Sequence, residues 1–255
     1  MLKNILYALS AAALLVSCEK NSLQLPIDPV TTGARLKLIN AAPDFPGIEL
    51  AIGGKKFSGF TPVGATTTSP GTPVGLPFNA TFPNTGSNYA IVTPGQQAIA
   101  ISAPATSTAT SATAINTQNL TFEDNKYYSL FVAGAGAQPE VLLINDNFEG
   151  ASDPGKFYVR FINLIAGSTY DVALTTPTPN LTLATNLAYK GISPYIAVDA
   201  IAGPTFAFRA PGSTTNVGSI QFTSSASGRA ATVFLRGVTG RTGTAAPGIN
   251  VYVNR

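Results

Sequence analysis

Beyond its N-terminal segment, the chain alternates hydrophobic and polar residues with the two-residue period of a β-strand. In the first such stretch, Leu36 and Leu38 alternate with Arg35 and Lys37. The pattern returns at 48–52, 157–161 and 206–208. Because successive side chains of a strand point to opposite faces, we expect the apolar face to be buried and the polar face to be solvated. Many short strands separated by Gly- and Pro-containing turns predict an all-β fold of antiparallel β-sandwiches.

The body of the chain contains one sequence unit twice. Residues 36–40 (LKLIN) match residues 159–163 (VRFIN). Five further pairs keep the same order: 48–52 with 170–174, 57–62 with 189–194, 120–122 with 220–222, 129–134 with 232–237, and 139–145 with 247–253. The shared order indicates a tandem duplication.

The duplication predicts two tandem immunoglobulin-like antiparallel β-sandwich domains, at 34–145 and 157–255. The acidic, Gly-containing stretch 146–156 between them predicts a solvated linker. Residues 103–118 consist almost entirely of Ala, Ser and Thr. Because such a segment buries little apolar surface, we expect an exposed loop there.

The N-terminal residues predict secretion. Lys3 supplies a positive charge and is followed by the apolar run 5–16, which is interrupted only by Ser10. About 20 apolar residues are needed to span a bilayer, so this run fits the core of a signal peptide better than a membrane helix. The run ends in the tetrapeptide Leu15-Val16-Ser17-Cys18.

This tetrapeptide resembles the lipobox of bacterial lipoproteins, in which aliphatic and small residues precede a cysteine. The resemblance implies that a lipoprotein signal peptidase cuts before Cys18 and that this cysteine carries a thioether-linked diacylglycerol. We therefore predict a signal peptide at 1–17 and a lipidated tether at 18–33. The tether would anchor the protein to the outer membrane of the cell envelope, on its periplasmic or its external side. An ordinary cleaved signal followed by a chance cysteine is the alternative.

Composition excludes several kinds of chemistry. The 255 residues include no His and one Cys, and only 11% are charged. Without His, neither a Ser-His-Asp triad nor a His-ligated zinc site can form, and a single Cys excludes a disulfide within the chain. The net charge of +3 is too small to indicate a nucleic acid partner. We therefore predict that the protein is not an enzyme and uses no metal or other cofactor.

The opening strand and turn of the first unit carry a family resemblance. Residues 34–44 (ARLKLINAAPD) look like the start of domain of unknown function 4397, which is common in lipoproteins of the Bacteroidetes. Residues 158–163 and 170–174 resemble a second copy. That copy has Ala-Gly-Ser at 166–168, where the Ala-Pro-Asp turn would stand. The resemblance implies a β-sandwich and an envelope location, and it brings no activity and no catalytic residues.

The charge difference between the two units is the main indication of a ligand. Residues 34–145 carry five basic and five acidic side chains, whereas residues 156–255 carry eight basic and two acidic ones. Bases that share one face would attract lipopolysaccharide, an acidic glycan or an acidic protein surface. A merely solubilising surface is the alternative. The predicted contacts to an anionic ligand are Arg160, Lys190, Arg209, Arg229, Arg236 and Arg241.

Other residues have both a local and a ligand-binding interpretation. Asn40 and Asn163 could present an amide to a ligand, or bond the turn that follows their strand. Asp44 could bind calcium or a sugar, or hold its own turn. Residues 145–150 begin like a calcium loop, but Lys156 stands where an EF-hand needs a bidentate Glu. Five tyrosines could stack on sugars or pack between strands: Tyr128, Tyr158, Tyr189, Tyr195 and Tyr252.

Together these patterns predict a non-catalytic envelope lipoprotein that acts as a binding or display module. Its partner would be a glycan, lipopolysaccharide or a surface protein. The alternative is a structural spacer, or a subunit of an envelope complex, that binds no small ligand and pairs through exposed sheet edges. A salt-sensitive affinity for polyanions would distinguish the first function from the second.

Overall fold

The structure is a computed structural model that describes residues 31–58, 60, 62–69, 71–84, 86–105, 112–177, 180–223 and 227–255. The predicted signal peptide and the lipobox residues Leu15, Val16, Ser17 and Cys18 lie outside the described residues. Within the described ranges, no helix combines the length and the apolar character that crossing a membrane requires.

The first sandwich is formed by two sheets. Its strands in the described residues are β1 (Ala34–Asn40), β2 (Gly47–Ile52), β3 (Lys55–Lys56), β4 (Leu76–Pro77), β5 (Thr81–Phe82), β6 (Ala90–Val92), β7 (Gly95–Ala103), β8 (Thr113–Phe122), β9 (Tyr127–Ala133) and β10 (Glu140–Asn145). One sheet has the order β10-β9-β1-β5, with β6 also paired to β1. The other has the order β3-β2-β7-β8, with β4 also paired to β2.

The second sandwich repeats this plan. Its strands in the described residues are β11 (Lys156–Asn163), β12 (Tyr170–Thr176), β13 (Leu181–Leu187), β14 (Ile196–Asp199), β15 (Thr205–Arg209), β16 (Asn216–Gln221), β17 (Ala230–Arg236) and β18 (Gly248–Val253). One sheet has the order β14-β11-β17-β18 and the other the order β13-β12-β15-β16. A 3-10 helix at Gly243–Ala245 lies between β17 and β18. The chain is therefore an all-β protein built of two tandem β-sandwiches.

The sequence predicted antiparallel pairing throughout, but two strand pairs are parallel. β1 pairs in parallel with β9, and β11 pairs in parallel with β17. Parallel neighbours need a long crossover connection, which here is the part of the chain that builds the opposite sheet. The hydrophobic alternation does not indicate the direction of a strand, so the sequence did not predict the two parallel pairs.

The segment predicted as an Ala/Ser/Thr loop contains the start of a strand, because β8 begins at Thr113. β8 lies at the edge of its sheet and pairs with β7. An edge strand needs little apolar surface when its outer face is solvated, so a polar composition did not exclude a strand there. The prediction of a loop is wrong from that residue onward.

Each sandwich has its own hydrophobic core between its two sheets. Leu36 and Leu38 are fully buried in the first core, and Phe206 and Phe208 are fully buried in the second. These are the residues that the two-residue period assigned to the apolar face. The alternation therefore identified the inner face of these strands correctly.

The outer faces of β1 and β11 are also buried, which the alternation did not predict. Lys37 is 0% exposed and Arg160 is 3% exposed. These side chains lie in a layer between the two sandwiches, where the sheet of β1 packs against the sheet of β11. The expectation of a solvated polar face is wrong at both residues.

We call this layer between the sandwiches the seam. Phe131 and Phe234 meet edge to face near its centre, with ring centroids 5.6 Å apart. Residues 32–255 form one compact unit. The buried apolar residues of the seam are Ile39, Ala41, Phe131, Ala133, Ile144, Ile162, Leu164, Phe234 and Tyr252.

Equivalent residues of the repeat meet at the seam. Ile39 corresponds to Ile162, and Phe131 corresponds to Phe234, so both copies contribute the same face. The arrangement is that of an isologous dimer whose two subunits are joined in one chain. Features on one side of the seam can therefore be compared directly with their counterparts on the other.

The structure corrects one pair of the repeat. Segment 189–194 corresponds to 78–83 and not to 57–62. Asn79 and Lys190 share a left-handed backbone, with φ of 66° and 60°. Each donates its backbone N–H, at 2.7 Å, to the carbonyl of the asparagine that ends the first strand of its sandwich. All three segments begin with an aromatic residue and end with proline, so the sequence did not separate them.

Candidate binding grooves at the seam

A buried carboxylate joins the polar groups of the seam. Asp146 is 2% exposed, so the prediction of a solvated linker is wrong at this residue. Its Oδ2 accepts hydrogen bonds from Tyr89 Oη and Ser129 Oγ, each at 2.7 Å, and a longer one from Asn254 Nδ2 at 3.4 Å. Its Oδ1 accepts a hydrogen bond from Nη2 of Arg160. This carboxylate is therefore not available to a cation, while Asn147 and Glu149 of the calcium-like stretch 145–150 are exposed and bond each other.

The second sandwich supplies the cation of this pair. The Nε of Arg160 donates to Thr232 Oγ1 at 2.9 Å, and the guanidinium lies 5.0 Å from the ring centroid of Tyr195. Thr232 Oγ1 in turn donates to Asn254 Oδ1 at 2.6 Å. Burial lowers the pKa of Arg160, but the charge and hydrogen bond of Asp146, together with the nearby Tyr252 and Tyr195, outweigh it, and the pKa is raised.

Lys37 holds in the first sandwich the position that Arg160 holds in the second. Its Nζ donates to the carbonyl of Gly86 at 3.1 Å and lies 5.2 Å from the ring centroid of Tyr89. Burial lowers the pKa of Lys37 to about 8, against the opposing effect of Asp146. Burial also raises the pKa of three surrounding tyrosines: Tyr89, Tyr195 and Tyr252.

Two further ion pairs join the sandwiches near the surface. Lys190 Nζ pairs with Glu140, and Arg241 Nη1 pairs with Asp44. The hydrogen bond from Arg241, together with one from the backbone N–H of Gly136, lowers the pKa of Asp44. Exposed pairs of this kind contribute little stability. They do show that two acidic residues of the first unit have two bases of the second unit as their partners.

Arg236 is also committed within the molecule. Its guanidinium lies 5.5 Å from the ring centroid of Phe78, which belongs to the first sandwich. Its Nε donates to Asn250 Oδ1 at 3.0 Å, and its Nη1 donates to the carbonyl of Ala246 at 3.0 Å. A Cβ at Gly248 would stand 2.6 Å from that Nη1, so glycine makes room for the guanidinium.

These contacts change the interpretation of the six bases predicted to bind an anion. Arg160 and Arg209 are buried, which disfavours contact with an external anion, and their role stays a prediction. Arg209 donates to Asn216 Oδ1 at 2.7 Å. Arg229 is exposed, and among the described residues its side chain makes no ion pair, so its role stays a prediction. Three others already have partners within the chain: Lys190, Arg236 and Arg241.

A groove of about 460 Å³ opens at the edge of the seam beside β10. We call it the Tyr195 groove, because the half-buried ring of Tyr195 forms part of its wall. Asn145 and Asn147 also line it, and both residues are exposed. The amide of Asn147 accepts from the backbone N–H of Glu149 at 2.9 Å and donates to its carboxylate at 3.3 Å. Arg160, whose charge is paired with Asp146, lines the groove as well. Phe148 packs against Tyr195, with ring centroids 5.5 Å apart. An aromatic ring beside uncharged amides suits a neutral ligand that has both an apolar face and hydroxyl groups.

A second groove of about 460 Å³ lies at the opposite edge of the seam, beside β18. We call it the Asn79 groove. Asn79, Thr81 and Asn84 of the first sandwich line one side, and Val251 and Val253 of the second line the other. Among the described residues, neither groove is lined by a carboxylate.

The asparagines that end the repeated first strand have the local role. Asn40 Nδ2 donates to the carbonyls of Phe45 and Leu76, each at 3.0 Å, and its Oδ1 accepts from the backbone N–H of Ala42 at 3.1 Å. Asn163 makes the corresponding three bonds in the second sandwich. The interpretation of these residues as turn supports is confirmed.

The tyrosines divide into two groups. Tyr128, Tyr158 and Tyr252 are buried, so they do not offer a ring to an external sugar. Tyr189 and Tyr195 are partly exposed. Sequence reasoning missed the seam residues Tyr89, Ser129, Thr232 and Asn254. The available signal was the repeat itself, which aligns Lys37 with Arg160 but does not show that both are buried.

A family model described as "Domain of unknown function (DUF4397)" matches residues 34–175, which span the first sandwich and continue into β12. No curated protein matches the sequence. Among solved structures, the chain is similar to a family 26 carbohydrate-binding module of Eubacterium rectale Amy13K in complex with maltoheptaose, with 10% identity, a TM-score of 0.25, and coverage of 86% of this chain and 96% of that one. It is also similar to a candidate cell adhesion protein of Bacteroides fragilis, with 8% identity, a TM-score of 0.24, and coverage of 88% and 98%.

Proposed function

The chain belongs to the DUF4397 family, whose description assigns no function, and we therefore propose one from the geometry of the seam. We propose a non-catalytic lipoprotein of the cell envelope that presents two rigidly joined sandwiches and binds neutral glycans in the Tyr195 groove. The observation that carries this proposal is the partly exposed ring of Tyr195 beside the amides of Asn145 and Asn147. A sugar ring has an apolar face that suits an aromatic wall, and hydroxyl groups that suit amides.

Two features favour a neutral ligand and a non-catalytic role. Of the bases that would attract a polyanion, Arg160 is paired with Asp146 in the interior, and Lys190 and Arg241 are paired with acidic residues near the surface. Glycoside hydrolysis needs two carboxyl groups about 5–10 Å apart across the substrate. Among the described residues, no carboxylate lines the Tyr195 groove. We therefore assign the groove to binding alone.

Binding of neutral oligosaccharides tests the function. A soluble form, residues 19–255, is titrated by calorimetry with cello-, malto-, xylo- and mannotetraose at about 0.1 M and about 1 M salt, where the Debye length falls from about 10 to 3 Å. We expect saturable binding whose affinity does not change with salt. Tyr195→Ala is expected to weaken it about tenfold or more, since each 1.4 kcal/mol of lost contact is a factor of ten.

Two control variants distinguish the contribution of the aromatic ring to binding from that of positive charge. Tyr195→Phe keeps the ring and should retain most of the affinity, while Arg229→Ala removes an exposed cation outside the groove and should have no effect. Binding only to acidic polysaccharides, weakened by salt and by Arg229→Ala, would replace the proposal with a polyanion-binding function. No binding by any sugar would leave the structural-subunit alternative, to be followed by crosslinking on cells.

The lipid anchor is proposed from the Leu15-Val16-Ser17-Cys18 tetrapeptide. In cells grown with a labelled fatty acid, we expect the wild-type protein to carry the label and to sediment with membranes. Cys18→Ser should remove the label completely, because no other cysteine exists. Adding Ser22→Cys to that variant is the control: a cysteine four residues later lies outside the lipobox and should not restore labelling. Labelling of the Cys18→Ser variant would show that the anchor was assigned wrongly.

A further inference from the structure

We propose that the Asn79 groove is a second site for the same class of ligand, a neutral sugar, so that one chain binds two. This inference rests on the proposed function of the Tyr195 groove. The two grooves have equal volumes, of about 460 Å³, and lie at opposite edges of the seam.

The duplication makes the two grooves equivalent in construction. Tyr252 and Val253 beside the Asn79 groove correspond in the repeat to Ile144 and Asn145 beside the Tyr195 groove. On the facing wall, Thr81 corresponds to Ile192, since each pairs with the same position of the first strand of its sandwich. The strand framework of one groove is therefore repeated at the other, while the lining side chains differ: Tyr195 corresponds to Asn84, and Asn145 to Val253.

Asn79 lines the second groove and is partly exposed, but its amide must rotate before its Oδ1 can meet a donor in the groove. Its Oδ1 is buried and, among the described residues, accepts no hydrogen bond. At the equivalent place in the second sandwich stands Lys190, which pairs with Glu140. The counterpart of Glu140 is Gly248, and the guanidinium of Arg236 fills the space beside it. That guanidinium donates to Asn250 Oδ1 and to the carbonyl of Ala246, and not to Asn79 Oδ1. Buried acceptors without a partner are uncommon, and each calls for a donor.

The surroundings define the class of that donor. A carbonyl oxygen repels an anion, and among the described residues no carboxylate lines the groove to hold a cation. Phe60, Val251 and Val253 supply apolar wall, while Thr81 and Asn84 supply polar groups. A hydroxyl group on a ring with an apolar face fits both parts of the lining. An ordered water could also satisfy Asn79 Oδ1, and the experiment separates the two.

Stoichiometry is the direct test, with the tetraose that the wild-type residues 19–255 bind. We expect two sites per chain by calorimetry. Asn79→Gly removes the amide and keeps the left-handed backbone (φ 66°), so it should leave one site of unchanged affinity. Asn186→Gly is the matched control, because Asn186 has the same kind of backbone (φ 51°) and lines neither groove; this variant should still bind two. Tyr195→Ala should remove the other site.

A second measurement, on the wild-type protein, tests the inference even if Asn79→Gly fails to fold. In the ¹⁵N-labelled wild-type protein, the side-chain amide of Asn79 should shift when the oligosaccharide is added. One site per chain that is lost with Tyr195→Ala and unaffected by Asn79→Gly, with an unmoved Asn79 amide, would overturn the inference and leave water as the partner. No binding at all would overturn the proposed function as well.

Discussion

Replacing Asp146 by asparagine is expected to lower the free energy of unfolding by about 3–5 kcal/mol, the cost of breaking a buried ion pair by removing one partner. The variant keeps the shape of the side chain but leaves the guanidinium of Arg160, which is 3% exposed, without its counter-charge. It also puts an amide where Tyr89 and Ser129 now donate to a carboxylate. Urea unfolding followed by circular dichroism measures the change.

Two further variants identify the cause of that loss. Glu149→Gln neutralises an exposed carboxylate in the same connection and should change stability by less than about 0.5 kcal/mol. Adding Arg160→Met to Asp146→Asn removes the unpaired charge and should recover part of the loss, because a buried pair can often be replaced by apolar residues at little cost. If Asp146→Asn and Glu149→Gln have the same small effect, the buried pair does not hold the seam together.

Truncating Phe131 to alanine is expected to cost about 3–5 kcal/mol, as large core residues do when they leave a cavity. Phe131 is fully buried in the seam, where its ring meets Phe234 edge to face and lies 6.0 Å from the ring centroid of Tyr252. Because the two phenylalanines are counterparts across the seam, Phe234→Ala should cost a similar amount. Urea unfolding measures both.

The double variant tests whether the two rings act through each other. Since they are in contact, the combined loss should be smaller than the sum of the single losses, by roughly 0.5–1.5 kcal/mol for an aromatic pair. Val217→Ala, at an exposed strand position (48% exposed), is the control and should be near neutral. If Phe131→Ala and Phe234→Ala lower the free energy of unfolding as little as Val217→Ala does, the stability of the sandwiches does not depend on the seam.

These predictions bear on function because both proposed grooves are lined by residues of both sandwiches. Tyr195 and Asn145 stand on opposite sides of the seam, as do Asn79 and Val251. A weakened seam should therefore weaken ligand binding as well as stability. If Phe131→Ala lowers the free energy of unfolding but leaves ligand binding unchanged, the ligand contacts only one sandwich.

The sequence by itself determined the class of fold and its duplication. A period of two is a local property of a strand, so Leu36, Leu38, Phe206 and Phe208 could be assigned to a buried face without any tertiary information. The local role of Asn40 and Asn163 was predictable in part, because each donates to a carbonyl of the turn that follows its strand. Their second acceptors, the carbonyls of Leu76 and Leu187, lie in distant segments. The absence of His likewise excluded whole classes of catalysis from composition alone.

Tertiary structure alone decided what covers the other face of those strands. Alternation shows that a strand has two faces, but what lies against each face depends on residues far away in the chain. Lys37, Arg160 and Asp146 looked like solvated charges, and they are buried because the two copies pack through their equivalent sheets. Three bases of the second unit, Arg160, Lys190 and Arg241, form ion pairs that join the copies. The grooves at the two edges of the seam exist only once that packing has formed.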